Sequence, residues 1–144
     1  MLKNIEVFDI LVGCVFSELY ENFPVCKEIK TEPFLKKIEM YSIENVLILS
    51  ETLFWLRDSG FITFKSPNEK NISKMEGTIA FPTFSCVVLS AKGLEILKKV
   101  PKSIDEKGLG DEMIEAVKLG AKDRISELVS SALSITFWAN LKAF

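Results

Sequence analysis

The chain contains no histidine at all. That absence removes the commonest general base at neutral pH, every Ser-His or Cys-His nucleophile pair, and the usual nitrogen ligand of zinc. Cysteine is scarce as well. Cys14, Cys26 and Cys86 are odd in number and widely spaced, with no Cys-x-x-Cys pair, so neither a thiolate zinc cluster nor a disulfide framework is indicated. Cys14 and Cys86 each lie within an apolar run, and buried reduced thiols are the expectation. Positive charge is not in excess: 18 Lys and Arg stand against 20 Asp and Glu, a formal charge of −2 that supplies no global attraction for a polyanion. Long hydrophobic runs are missing too. The longest uncharged stretch near the C-terminus, Leu128–Leu141, has 14 residues and contains three serines. A bilayer span needs roughly 20 apolar residues. The first residues carry Glu6 and Asp9 inside their apolar stretch and show no small-residue cleavage site, which reads against a signal peptide and for a cytoplasmic protein that does not engage a membrane.

Phosphate cradles are equally weak. Gly108-Leu-Gly110 begins like a dinucleotide fingerprint, but Met113 stands where the third glycine belongs and no strand precedes it. Ser90 with Lys92 as its base is the remaining nucleophile pair, yet Ser90 is better placed to cap a helix. No enzymatic activity, metal or cofactor is expected.

What is present is ordinary globular material, 48% apolar and 26% charged, with strong helical periodicity. Ile5, Phe8, Val12, Phe16, Leu19 and Phe23 recur at three and four residues, and Val7, Ile10, Leu11 and Cys14 widen that face. Only a narrow polar stripe of Glu6, Asp9, Gly13 and Ser17 is left, so this helix should be covered on two flanks until Pro24 ends it. Thr31-Glu-Pro-Phe opens a short second helix containing Phe34, Leu35, Ile38 and Tyr41. A longer helix from about Ser42 to Ser59 puts Val46, Leu49, Leu53 and Leu56 on one face, with Gly60 as its stop. Phe61 to Lys65 predicts a strand, Ser66 to Thr83 an exposed hairpin loop, and Phe84 to Leu89 a returning strand. Ser90 then caps a helix that stops near Val100-Pro101, and Gly108 to Phe144 is helical with one interruption at Gly120.

This order, with Leu-x-x-Leu-x-x-x-Gly-Phe-Ile before the loop and Leu-Ser-Ala-Lys-Gly-Leu after it, resembles the winged helix-turn-helix superfamily of bacterial regulators over roughly residues 5–100. The expected fold is mainly α with a small β-hairpin: a winged helix-turn-helix core in residues 1–101 and a C-terminal helical arm in residues 102–144. The resemblance implies that the third helix, Glu44 to Ser59, enters a DNA major groove while the wing touches phosphate through Lys65, Lys70 and Lys74. Residue content opposes that use. The early turns of the helix, Glu44-Asn-Val-Leu-Ile-Leu-Ser-Glu-Thr, hold no cation, and Glu44, Glu51 and Asp58 face only Arg57. The wing sets three lysines against Glu69 and Glu76. Leu47, Ile48, Phe54 and Trp55 lie off the inner face and need a cover, either the arm or another protein; Leu47, Ile48, Glu51 and Trp55 are the expected partner-binding residues.

In the arm, Ile114, Val117, Ala121, Ile125, Leu128, Ala132, Ile135 and Ala139 form a seam. Pairing two copies through Ile125, Leu128, Ala132 and Ile135 gives a homodimer; a break at Gly120 instead folds the last helix back onto the domain. The expected function is a non-enzymatic regulator, adaptor, inhibitor or immunity-type protein acting through protein contact. The alternative is a dimeric DNA-binding transcription regulator.

Overall fold

A computed structural model of the chain describes residues 3–65, 82–99 and 108–142, with side chains in the last helix through Ser134. The described residues are mainly helical, with a small three-stranded antiparallel sheet. Helix α1 spans Asn4–Asn22, strand β1 Lys27–Lys30, α2 Thr31–Lys37 and α3 Ile43–Asp58. Strands β2 (Ile62–Thr63) and β3 (Thr83–Leu89) follow, then α4 (Ala91–Lys98), α5 (Leu109–Leu119) and α6 (Lys122–Lys142). The sheet order is β1-β3-β2. The loop expected to form the wing, including Lys70 and Lys74, lies outside the described residues.

Local chemistry sets the element ends. Ser42 Oγ accepts the Asn45 N–H at 3.0 Å at the start of α3, and Ser90 Oγ accepts the Gly93 N–H at 3.0 Å at the start of α4, each meeting one of a helix's free N-terminal donors. Gly60 (φ 87°) and Gly120 (φ 65°) take the left-handed conformation that lets the chain leave α3 and α5 sharply. Strand β1 adds an element that the alternation pattern does not mark. Its sequence, Lys-Glu-Ile-Lys, offers one apolar side chain, Ile29, which is buried and pairs opposite Phe84.

Helix α1 is the axis of the core. One side meets α3 and β3, the other α5 and α6, so Gly13 and Ser17 of the expected polar stripe are buried along with Leu11, Val12, Val15 and Phe16. On α3 the inner face is Val46, Leu49, Leu53 and Leu56, as its periodicity predicts, while Ser50 and Thr52 satisfy their buried hydroxyls on the Val46 and Ile48 carbonyls. The described residues on both sides of the expected domain boundary near residue 101 share one hydrophobic cluster.

That packing corrects the expected dimer seam. Ile125, Leu128 and Ala132 are buried within the same chain, Leu128 at 2% exposure, because α6 turns back at Gly120 and packs on α1, α4 and α5. The side chain of Ile135 lies outside the described residues. Close approach of α6 to α1 depends on Gly13, where a Cβ would collide with Ile125 Cγ2 and press on Met113 and Val129. The joint is completed by an ion pair across the turn, Arg124 Nη2 to the buried Glu112 Oε1 at 3.2 Å.

Candidate functional site

With α6 folded back on α1, the outer side of α3 is left uncovered among the described residues. Glu44, Leu47, Glu51, Trp55 and Asp58 are exposed, and steps of three and four residues put them in one helical row. Leu47 is 53% exposed and Trp55 43%; beside them, at the N-terminal end of α1, Ile5 is 62% exposed. Together with Phe8, Ile48 and Phe54 these side chains line a shallow groove of about 600 Å³ between α1 and α3, edged by Glu51 and Asp58. The four expected partner-binding residues, Leu47, Ile48, Glu51 and Trp55, are therefore brought to one surface.

Ring packing holds the largest of them in place. Trp55 meets Phe8 edge-on at 5.3 Å between centroids and stacks near-parallel on Phe61 at 6.2 Å, so its indole is held in one orientation. Lys92 Nζ lies 4.9 Å from the Phe61 ring centre and donates to the Ser59 carbonyl at 2.9 Å, bracing the far side of that stack. Helical periodicity puts Ile5 and Phe8 on the apolar face of α1 but does not show that this end of the face belongs to the groove: Ile5 is at its rim and Phe8 is half-buried beneath it.

The electrostatics are one-sided. Glu44, Glu51 and Asp58 follow one another at seven-residue intervals along the row. The single cation of α3, Arg57, donates from Nη2 to Asp58 Oδ1 at 3.0 Å, and its guanidinium lies 5.1 Å from the ring centres of both Phe54 and Phe64. Arg57 is thereby drawn over the aromatic cluster of Phe54, Phe64 and Phe84. Lys65 is exposed beyond β2, where its N–H donates to the Ser85 carbonyl at 3.0 Å.

A second cleft, about 470 Å³, opens between α1, the α2–α3 connection and the α5–α6 turn. It is poorly furnished for chemistry. Burial pushes the Cys14 thiol up to about 11, which keeps it protonated and unreactive near neutrality. Two ion pairs lie on its rim, with Lys118 3.6 Å from Glu21 and Lys37 4.0 Å from Glu18. Among the described residues no group of three or more Cys, Asp or Glu is arranged to hold a metal ion, and no helix is long and apolar enough to cross a membrane.

The three cysteines depart from the expected set of buried thiols. Cys14 is buried, but Cys26 is exposed and Cys86 half-buried, and these two meet although sixty residues separate them. Ser90, besides capping α4, donates its hydroxyl to the Gly60 carbonyl, so it is committed to structure at both ends. No protein-family model, curated protein or solved structure matches the chain.

Proposed function

We propose that the chain is a non-enzymatic winged-helix protein that works by gripping a protein partner in the α1–α3 groove, as a regulator, adaptor, inhibitor or immunity-type protein. The partner it fits is an amphipathic helix with large apolar side chains and Lys or Arg flanking them. One observation carries the reading: the exposed row of α3 alternates apolar anchors, Leu47 and Trp55, with carboxylates, Glu44, Glu51 and Asp58. A preset aromatic in an apolar groove is the composition of binding hot spots, and acidic residues along the same row favour a cationic face over an anionic one. The same carboxylates repel phosphate, which argues against α3 as a DNA reader. We take the protein to act in the cytoplasm, where structural disulfides are rare and its three cysteines are free thiols at rest.

The test is a fluorescence-anisotropy titration with a labelled amphipathic Leu/Lys helix, its Leu/Glu counterpart, and a random DNA duplex. The Leu/Lys peptide should bind, and Trp55→Ala or Leu47→Ala should each weaken it at least about tenfold, as expected for hot-spot truncation. Glu51→Lys should weaken it while leaving the urea midpoint unchanged. Equal binding of both peptides, or indifference to Trp55 and Leu47, would remove the groove as the site. Duplex binding that falls steeply with salt would instead restore the transcription-regulator alternative, with Lys65, Lys70 and Lys74 as phosphate contacts.

A further inference from the structure

Strand β3 contains a defect that points a thiol at its neighbour. Lys27 pairs with Val87, but Ile29 pairs with Phe84, so β3 has one residue more than β1 across this stretch. Phe84, Val87 and Leu89 are all buried, a spacing that alternation alone forbids and a bulge permits. The residue that absorbs the mismatch is Cys86, at φ 52°, a left-handed conformation natural to glycine and uncommon for a side chain such as cysteine. Its effect is to bring Cys86 Sγ within 2.6 Å of Cys26 Sγ, just ahead of β1. The hydrogen-bonded contact with Cys86 favours the protonated form of Cys26 and is the main reason its thiol is raised above the ordinary value; Lys65 nearby acts in the opposite direction.

We infer that Cys26 and Cys86 form a dithiol modification site that closes to an intramolecular disulfide on reaction with a low-molecular-weight disulfide of the glutathione class. Cys26, the exposed member, attacks as thiolate on one sulfur of the reagent, breaking its S–S bond and releasing one thiolate, which takes up a proton. Cys86 then loses its proton and attacks Cys26 Sγ. The Cys26–Cys86 bond forms and the second reagent thiolate leaves and is protonated. Two protein thiols are oxidised by two electrons, one reagent disulfide is reduced to two thiols, and both protons pass from protein to reagent. Cys14 takes no part, being buried and held protonated. The new bond ties β1 to β3 and closes a loop containing α2, α3 and β2, so the helix that carries the groove lies inside the closed loop. This inference rests on different residues from the groove and stands or falls separately.

The full chain is incubated with oxidised glutathione, alkylated, and examined by intact mass and peptide mapping. Wild type should lose two thiols without accumulating a glutathione adduct, the bond should map to Cys26 and Cys86, and the urea midpoint should rise because the closed loop restricts the unfolded chain. Cys86→Ser should stop at a stable glutathione adduct on Cys26, and Cys26→Ser should react many-fold more slowly than wild type. Circular dichroism of each variant checks that the fold persists, and the wild-type result does not depend on either substitution. Independent adducts on Cys26 and Cys86 with no internal bond, a bond that maps to Cys14, or wild type left fully reduced would overturn the inference.

Discussion

Replacing glycine by alanine inside a helix ordinarily stabilises it by about 0.5–1 kcal/mol, because alanine has less backbone freedom to lose. Gly13, in the middle of α1, should show the opposite sign. A Cβ there runs into Ile125 Cγ2, a methyl on a β-branched side chain with little freedom to turn aside, and it also comes within 3.4 Å of Met113 Sδ and Val129 Cγ2. Overpacking of this kind costs about 1–3 kcal/mol, which exceeds the propensity gain. Gly13→Ala should therefore destabilise by about 1–2 kcal/mol, read as a lowered urea midpoint at constant slope. Ile125→Ala alone should cost about 2–5 kcal/mol through the cavity it leaves. Combined, the two should cost about 1–2 kcal/mol less than their sum, since removing the isoleucine makes room for the new methyl. If Gly13→Ala raises stability and the two effects simply add, α6 does not cross α1 at this glycine and the fold-back is wrong.

Other substitutions probe the same packing and its charges. Leu128→Glu should cost several kcal/mol, a large part of a typical 5–15 kcal/mol total, by placing a carboxylate in the core, whereas Ser131→Glu on the exposed side of α6 should stay within about 0.5 kcal/mol; chemical denaturation of both, with sedimentation to record mass, compares them. Arg124→Ala should destabilise by about 1–3 kcal/mol, because Glu112 is buried and its Oε2 has no hydrogen-bond partner among the described residues; adding Glu112→Gln should recover part of the loss in the same assay. For Cys14 the folded thiol is raised from 9.0 to about 11, so between those values the folded state holds a proton that the unfolded state has released. Its contribution to stability is intact below pH 9 and falls by about 2–3 kcal/mol as pH rises to 11. The stability difference between wild type and Cys14→Ala should shrink by that amount over the interval in urea titrations at stepped pH.

Local physics was legible in the residues themselves. Three-and-four spacing marks α1 and the inner face of α3, Ser42 and Ser90 mark helix starts, and Gly60 and Gly120 mark the exits, because each of these signals acts within a few residues of itself. The outward apolar side chains Leu47, Ile48 and Trp55 were legible for the same reason: they fall off the inner stripe of their own helix. Strand β1 was not, since Lys27–Lys30 has one apolar residue and becomes a strand only through pairing with β3.

Which surface covers which was decided by the tertiary structure alone. Periodicity states that Ile125, Leu128 and Ala132 need an apolar cover, but a second copy and α1 of the same chain satisfy that need equally well on paper. Gly13, reading as a gap in a polar stripe, turns out to be the notch that lets α6 dock, and with α6 spent on α1 the groove beside Trp55 stays open. Cys26 and Cys86 follow the same logic, brought together across sixty residues by a one-residue bulge. Hydrophobic burial has no direction and no memory of sequence distance, so a sequence names the faces that must be buried, and only the folded chain selects their partners.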